Sequence, residues 1–222
     1  MMKIENQNND IYVVLVKAQT GLGKFTRLIS KYEYTHIAIC LDENLSKFYT
    51  FSRRKHFSPF DCGFMIETLD CYAFGKYKNV KLKIFKIPVS RENKEKIEKY
   101  IENVSKDSEY IFNFFSMITM PIFHGFKIYK SHNCMSFVNK IIELSEAVNM
   151  SKPYYKYNIK EIDELLTKYQ YMEDFFDKKK VEAKEYMHYV GLIKNILYFI
   201  NLSGKLIYRL IVRRKEKDEK SV

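Results

Sequence analysis

The sequence is poor in the residues that mark disordered, collagenous or low-complexity chains. Its 222 residues include no tryptophan, only seven glycines and only four prolines, whereas 46% are apolar and 16% are aromatic. A chain of this length and composition can bury a substantial core, which excludes a disordered protein. The length fits one domain with an appendage or two small domains. We therefore expect a packed globular protein that is large enough to be an enzyme.

Cysteine is also scarce, and its spacing excludes the common zinc sites. The four cysteines are Cys40, Cys62, Cys71 and Cys134, and His132 lies two positions before the last of them. None of these spacings gives the paired CxxC ligands of a structural zinc site, so we expect no metal and no cofactor. The polar N-terminal segment does not resemble a secretory signal. We expect free thiols in the cytoplasm, with the inner face of the membrane as an alternative location.

Acidic residues are outnumbered, but the excess positive charge is concentrated at one end. The formal net charge is +11, and residues 178–222 contain twelve Lys and Arg against five Asp and Glu. The remainder has no Arg-rich helix or aromatic–basic interleaving, so nucleic acid is not an expected partner. No apolar run near the C-terminus reaches the roughly 20 residues of a membrane-spanning helix. We expect one domain over residues 1–177 and a basic, apolar helical extension over residues 178–222 that binds a membrane surface or forms a homodimer.

The apolar patterns predict strands in the first part of the chain and helices in the second. Strand patterns occupy residues 11–16, 34–41, 47–52, 63–69 and 79–88. Helical patterns occupy residues 20–32, 90–104, 110–120, 131–142, 159–168 and most of 186–212, and Pro121 is expected to end the third of them. The fold class is therefore α+β, with an antiparallel sheet packed on helices and a C-terminal helical extension.

Two residues in this pattern have the chemistry of a nucleophilic site. His36 lies in an alternating strand, and Cys134 lies near the start of an apolar-faced helix that Asn133 or Ser131 could cap. A thiol in the first helical turn is close to the positive end of the helix dipole, and a nearby imidazolium further stabilises the reactive thiolate. Alternation places the small Ala38 on the face of His36, which leaves room for the helix to approach. The alternative is that both residues are inert parts of the core.

The order of the segments resembles the circularly permuted branch of the NlpC-type papain-like cysteine hydrolases. The matching motifs are THIAI at residues 35–39, FYTFSRR at 48–54, GFMIE at 63–67 and NCMSFV at 133–138, and the resemblance covers residues 11–175. In that branch the sheet with the histidine precedes the helix with the cysteine, which reverses the order in papain. The resemblance implies a papain-like core with Cys134 as the nucleophile and His36 as the general base and acid.

The resemblance also implies a third polar residue that orients the imidazole, usually from the strand that follows the histidine. The candidates there are Ser52 and Thr50. A hairpin in the expected register places Ser52 across from His36 and Thr50 across from Ala38. Relatives often use a carboxylate, an amide or a second histidine, and a hydroxyl is a weaker orienter. Glu67 on the next strand could substitute, although we expect it to face solvent.

Two other catalytic motifs are excluded by their missing residues. A phosphate-binding loop of the form GxxxxGK[ST] requires a glycine where Ala18 stands and a hydroxyl where Phe25 stands. The Gly-x-Ser-x-Gly elbow of serine hydrolases does not occur in the chain. A serine nucleophile and a nucleotide site are therefore not expected.

Two classes of function remain. The first is a cysteine hydrolase, of the amidase, peptidase or acyltransferase type, that forms a thioester with a peptide, amide or lipid substrate. The basic, apolar extension favours a lipid or a membrane-associated amide. The second is a catalytically inactive papain-like module that binds a membrane surface or dimerises through residues 178–222.

Overall fold

The computed structural model describes residues 9–73, 77–177 and 185–212, so residues 178–184 and 213–222 of the basic extension lie outside the described residues. Six strands form one antiparallel sheet in the order β4-β3-β2-β1-β5-β8. They are β1 (Asp10–Lys17), β2 (His36–Cys40), β3 (Phe48–Lys55), β4 (Ser58–Glu67), β5 (Asn79–Pro88) and β8 (Gln170–Asp177). Two short strands, β6 (Ile111–Phe112) and β7 (Ser131–His132), pair in parallel outside this sheet.

The helices follow mainly in the second half of the chain, which confirms the α+β class with an antiparallel sheet. They are α1 (Gly21–Ser30), α2 (Arg91–Lys106), α3 (Phe114–Ile118), α4 (Met120–Phe123), α5 (Cys134–Ser145), α6 (Ile159–Leu166) and α7 (Leu192–Val212). The Ser90 side chain caps α2 by accepting a hydrogen bond from the backbone amide of Asn93. The Asn158 side chain caps α6 by accepting one from the backbone amide of Glu161. These are the starts that the helical patterns predicted.

The central strand β1 is buried on both faces of the sheet. Ile11, Val13 and Leu15 pack with the residues of α2, α5 and α6, whereas Val14 and Val16 pack in a second apolar cluster on the opposite face. A strand with helices or loops on both sides has no solvated face, which explains its continuous apolar run.

One predicted helix was wrong. Residues 110–120 do not form a single aromatic helix, because Ile111 and Phe112 pair with β7 and a new helix begins after Asn113. The Asn113 side chain accepts the amide of Ser116 and so caps α3. Pro121 lies in the first turn of α4 rather than ending a helix, and it is tolerated there because the first amides of a helix need no internal acceptor.

The edge strand β8 was not predicted. Its side chains are largely exposed, so they lack the alternation that a half-buried strand produces. Cross-strand charge pairing holds it to β5: Glu173 lies 2.7 Å from the ammonium of Lys81, and Tyr34 donates to the same carboxylate at 2.8 Å.

The helix α7 of the predicted extension packs on the rest of the chain. Leu202 and Leu206 are buried in the main core, and the ring of Phe199 lies 4.8 Å from that of Phe60 on β4. The Arg209 guanidinium donates to the carbonyl oxygen of Lys130 at 2.9 Å. Within the described ranges, no helix combines the length and apolar composition needed to cross a bilayer.

Candidate active site

Cys134 is the first residue of α5, and a capping box holds that end of the helix. The Asn133 side chain accepts the amide of Ser136 at 2.8 Å, and the Ser136 hydroxyl accepts the amide of Asn133 at 3.0 Å. Asn133 is therefore the cap, while the other candidate, Ser131, belongs to β7. The reciprocal bonds fix the turn that presents the thiol.

Aromatic packing fixes the rest of α5 against the sheet. The ring of Phe137, one turn after the thiol, lies 5.3 Å from Phe51 of β3 and 5.8 Å from Phe64 of β4. Side chains on this helix and on the strands thus interlock, so the start of α5 has a defined position above β2 and β3.

The expected face of β2 was wrong. We expected α5 to approach the face of Ala38, but the helix packs in the apolar cluster that contains Ile37 and Ile39. Ala38 belongs to the opposite cluster, with Phe48 and Tyr72. Ile37 and Ile39 fill the space under the helix, whereas the small Ala38 leaves room for the rings of Phe48 and Tyr72 on the other face.

His36 nevertheless has Cys134 as a neighbour, and each residue is the first of its element. His36 begins β2 and pairs with Val16 of β1, so its ring lies at the end of the sheet rather than in its middle. There the Cys134 side chain is a neighbour of the imidazole, and its hydrogen bond and charge raise the pKa of His36. The ring nitrogen Nε2 lies 2.8 Å from Oε2 of Glu67.

Glu67 lies at the end of β4 and is a buried carboxylate, so the expectation that it faces solvent was wrong. Its side chain is only 3% exposed. Besides His36, it accepts hydrogen bonds from the Ser52 hydroxyl at 2.5 Å and the Tyr72 hydroxyl at 2.8 Å. Three donors compensate the loss of hydration of this carboxylate, which is why it can be buried.

The electrostatics of the site favour the charged forms of both His36 and Glu67. Burial lowers the pKa of His36, but the charge of Glu67 and the hydrogen bonds to Cys134 and Glu67 outweigh burial and raise that pKa to about 10. Burial likewise raises the pKa of Glu67, but the charge and hydrogen bond of His36, with the hydrogen bonds from Ser52 and Tyr72, bring it below its usual value. At neutral pH the site therefore holds an imidazolium beside a carboxylate.

The two predicted hydroxyls have different partners. The pair Ile39–Tyr49 sets the register of β2 and β3, and its continuation places Ser52 across from His36. Ser52 donates to Glu67 rather than to the imidazole, so it acts on His36 only through the carboxylate. Thr50 is fully buried and donates to the backbone oxygen of Ile37 at 2.9 Å. The structure therefore links Ser52 to the site and ties Thr50 to the sheet backbone.

Tyr72 was not singled out from the sequence. It follows a short turn after β4. Its ring centroid lies 5.6 Å from that of His36, with the two rings tilted by 57°, and its hydroxyl donates to Glu67. Burial, followed by the charge of Glu67, raises the pKa of its phenol well above the ordinary value, so it is a neutral donor. No local pattern around Tyr72 marks it in the sequence.

The other thiols lie in environments that keep them protonated. Burial raises the pKa of Cys40 to about 11, that of Cys62 to about 12 and that of Cys71 to about 11. Cys134 is thus distinguished from the other cysteines by its imidazolium neighbour. Within the described ranges, no group of three His, Cys, Asp or Glu side chains is arranged to hold a metal ion.

Access to the thiol is narrow. Cys134 is 8% exposed and the His36 side chain is 14% exposed, so only a small part of the pair reaches the surface. The arrangement has the parts of a thiol nucleophile: a sulfur, an imidazole beside it and a buried acid on the far side of the ring. In comparisons with known proteins, no family model, no curated protein and no solved structure matches this chain.

Proposed function

We propose that the protein is a cysteine hydrolase or acyltransferase that uses Cys134, His36 and Glu67. One observation carries the proposal: the imidazole of His36 has the Cys134 side chain as a neighbour that raises its pKa, and its Nε2 lies 2.8 Å from a buried carboxylate. This is the arrangement in which a base is oriented by a third group. The chemistry is nucleophilic attack on the carbonyl carbon of an amide or ester.

In the acylation step, the thiolate of Cys134 forms a bond to the carbonyl carbon, and the carbonyl electron pair moves onto the oxygen. The backbone amide of Cys134 is available to this oxyanion, because the first residue of a helix has no internal acceptor for its N–H. Collapse of the tetrahedral species breaks the bond to the leaving amine or alcohol. The leaving group takes the proton of the His36 imidazolium, so that a thioester and a neutral imidazole remain.

In the second step, His36 acts as a base. It takes a proton from water or from an acceptor hydroxyl or amine as that group attacks the thioester, and the Cys134 thiolate leaves. Water completes a hydrolysis, whereas another acceptor completes an acyl transfer. Glu67 holds the ring through Nε2 in both steps and stabilises the imidazolium that each cycle restores.

The proposed fold family is the circularly permuted branch of the NlpC-type papain-like hydrolases. Support comes from the chain order, in which the strand of His36 precedes the helix of Cys134, and from the antiparallel sheet on which that helix packs. The orienting residue in this proposal is Glu67, a carboxylate contributed by the later strand β4. The proposed substrate is a peptide, another amide or a lipid ester.

The proposed location is the cytoplasm, at the inner membrane face. All four cysteines are free, including the partly exposed Cys62, which is typical of a reducing compartment. The exposed apolar surface of α7, described below, is the reason to place the protein at a membrane.

Alkylation of the native protein tests the proposal. Iodoacetamide is added between pH 5 and pH 9, and the label on each cysteine is measured by peptide mass spectrometry. Cys134 should react fastest at low pH, because an imidazolium adjoins its sulfur, whereas burial raises the pKa of each of the other three thiols. His36→Ala should remove this advantage and leave labelling of Cys62 unchanged. Equal reactivity of the four thiols, or a His36→Ala variant that labels like the parent, would contradict the proposal.

A further inference from the structure

The outward side of α7 exposes apolar side chains in both halves of the helix, with Asn201, Ser203 and Gly204 between the two groups. Nine apolar side chains are exposed there, each between 47% and 78%. They are Leu192, Ile193, Ile196, Leu197, Ile200, Ile207, Tyr208, Ile211 and Val212. A monomeric protein rarely exposes this many large apolar side chains on one side of a helix unless they bind something. The face is about 30 Å long, since the helix has 21 residues and rises about 1.5 Å per residue.

This apolar face is separate from the one that packs on the body. Leu202 and Leu206 are buried, and Phe199 packs on Phe60, whereas the nine exposed residues lie on an arc of about 200° that starts at Leu192, counted at about 100° per residue. Gly204 lies within this arc, and a Cβ atom added there would meet no described atom within 4 Å. The helix thus has one apolar face for the core and another that no described residue covers.

The apolar surface continues beyond the start of α7. The ring of Tyr189, which is 71% exposed, lies 6.0 Å from that of Phe57, which is 44% exposed. The Asn195 side chain donates to the backbone oxygen of Phe57 at 3.1 Å and so holds this pair beside the helix. The surface therefore belongs to the folded body rather than to a detached helix.

Charge identifies the occupant. The helix contains no Asp or Glu, and the exposed Lys194 and Lys205 lie along one edge of its outward apolar face. Arg209 is occupied by backbone carbonyls, which leaves these two lysines as the cationic edge of the face. Anionic headgroups would complement this edge, and a bilayer would bury the apolar side chains. A second copy would bring two cationic edges together, which disfavours a homodimer.

We propose that α7 binds the surface of an anionic lipid bilayer. The helix lies in the plane of the interface, with its outward apolar residues among the upper acyl chains and the ammonium groups of Lys194 and Lys205 at the lipid phosphates. This inference is independent of the chemistry of Cys134, since none of its residues belongs to the candidate active site.

Vesicle flotation of the full chain tests this surface. The protein is mixed with phosphatidylcholine vesicles, or with vesicles in which about one third of the lipid is phosphatidylglycerol, and the floating fraction is measured at low and high salt. The parent should float with the anionic vesicles and bind at least about tenfold less to the neutral ones or at high salt. Failure of the parent to float with the anionic vesicles overturns the proposal.

Three variants identify the face. Ile193→Glu with Ile200→Glu places two charges in the apolar face and should reduce the bound fraction at least about tenfold. Lys194→Glu with Lys205→Glu should abolish the preference for anionic lipid without changing the apolar residues. Leu28→Glu, at an apolar residue of α1 that is 76% exposed, is the matched control and should bind like the parent. Equal loss in the control, or none in the two α7 variants, contradicts the assignment.

Light scattering on the same proteins tests the competing occupant. The parent should be a monomer at micromolar concentration without lipid. A stable dimer that Ile193→Glu with Ile200→Glu converts to a monomer would overturn the membrane assignment, because the face would then be a subunit interface. Circular dichroism establishes that each variant is folded, and Cys134 labelling without vesicles reports the active site separately, so failure of one proposal is distinguishable from failure of the other.

Discussion

The Glu67 carboxylate lies 2.8 Å from Nε2 of His36, which places the imidazole between a buried acid and the side chain of Cys134. Ser52 and Tyr72 hold the carboxylate from two further directions. The acid thus has a fixed position, and through it the ring of His36 does too.

Glu67→Gln removes the charge that counters the burial of His36. The pKa of His36 should fall from about 10, because burial then acts with less opposition. The imidazolium is lost at a lower pH, and Cys134 labelling at neutral pH should slow by at least about tenfold. The measurement is the pH profile of alkylation. Glu33→Gln is the control, since Glu33 pairs with Lys17 and Lys81 at the surface, and it should leave the profile unchanged.

Ser52→Ala and Thr50→Val should have opposite signatures. Ser52→Ala removes one donor to Glu67, so the pKa of Glu67 should rise and the Cys134 labelling rate should fall several-fold. Thr50→Val removes a buried bond to the Ile37 carbonyl and should lower the free energy of unfolding by about 1 kcal/mol with labelling unchanged. Urea unfolding and alkylation are measured on both. Slower Cys134 labelling in Thr50→Val, with normal labelling in Ser52→Ala, would show that Thr50 and not Ser52 supports the site.

The free energy of unfolding should vary with pH because folding shifts the pKa values of His36 and Glu67. The pKa of His36 is raised from 6.5 to about 10 in the folded state, so its contribution is complete below pH 6.5 and is lost as the pH rises through 10. The pKa of Glu67 is lowered from 4.5, so its contribution is present above pH 4.5 and is lost as the pH falls below that value. Urea unfolding from pH 3 to pH 10 measures the free energy of unfolding across both the acidic and the alkaline range. His36→Ala should reduce the loss of unfolding free energy between pH 6.5 and pH 10. An unchanged loss in this variant would show that the ring is not charged in the folded protein.

The capping box at Asn133 should serve both the helix and the thiol. Asn133→Ala should lower the free energy of unfolding by about 1 kcal/mol and also slow Cys134 labelling, because the first turn of α5 is no longer held. Asn158→Ala removes the equivalent box from α6 and is the matched control. It should cost similar stability and leave the thiol rate unchanged. Equal slowing in both variants would attribute the effect to general loosening of the fold.

Local sequence patterns were sufficient where one side chain determines local structure. Ser90 marked the start of α2, because a polar side chain before an apolar periodic run satisfies free amides wherever the helix later packs. For α5 the sequence offered Asn133 or Ser131, and the structure selects Asn133. The alternating strands and the α+β class followed from apolar periodicity in the same way. The residues His36 and Cys134 were likewise identifiable, because thiol and imidazole chemistry does not depend on the fold.

Only the tertiary structure decided which groups meet those residues. The sequence could not show that Glu67 is buried, because a carboxylate at a strand end is as compatible with solvent as with three donors from β2, β3 and the turn after β4. The strand β8 was missed because its partner strand β5 is distant in the chain and its own residues have no apolar period. Tyr72 was missed because nothing in the local sequence shows that Glu67, its partner five residues earlier, is buried beside His36. The sequence by itself determined the elements with a clear apolar period and the reactive side chains. Long-range packing decided the faces of those elements, since alternation defines two faces of a strand without saying what covers each.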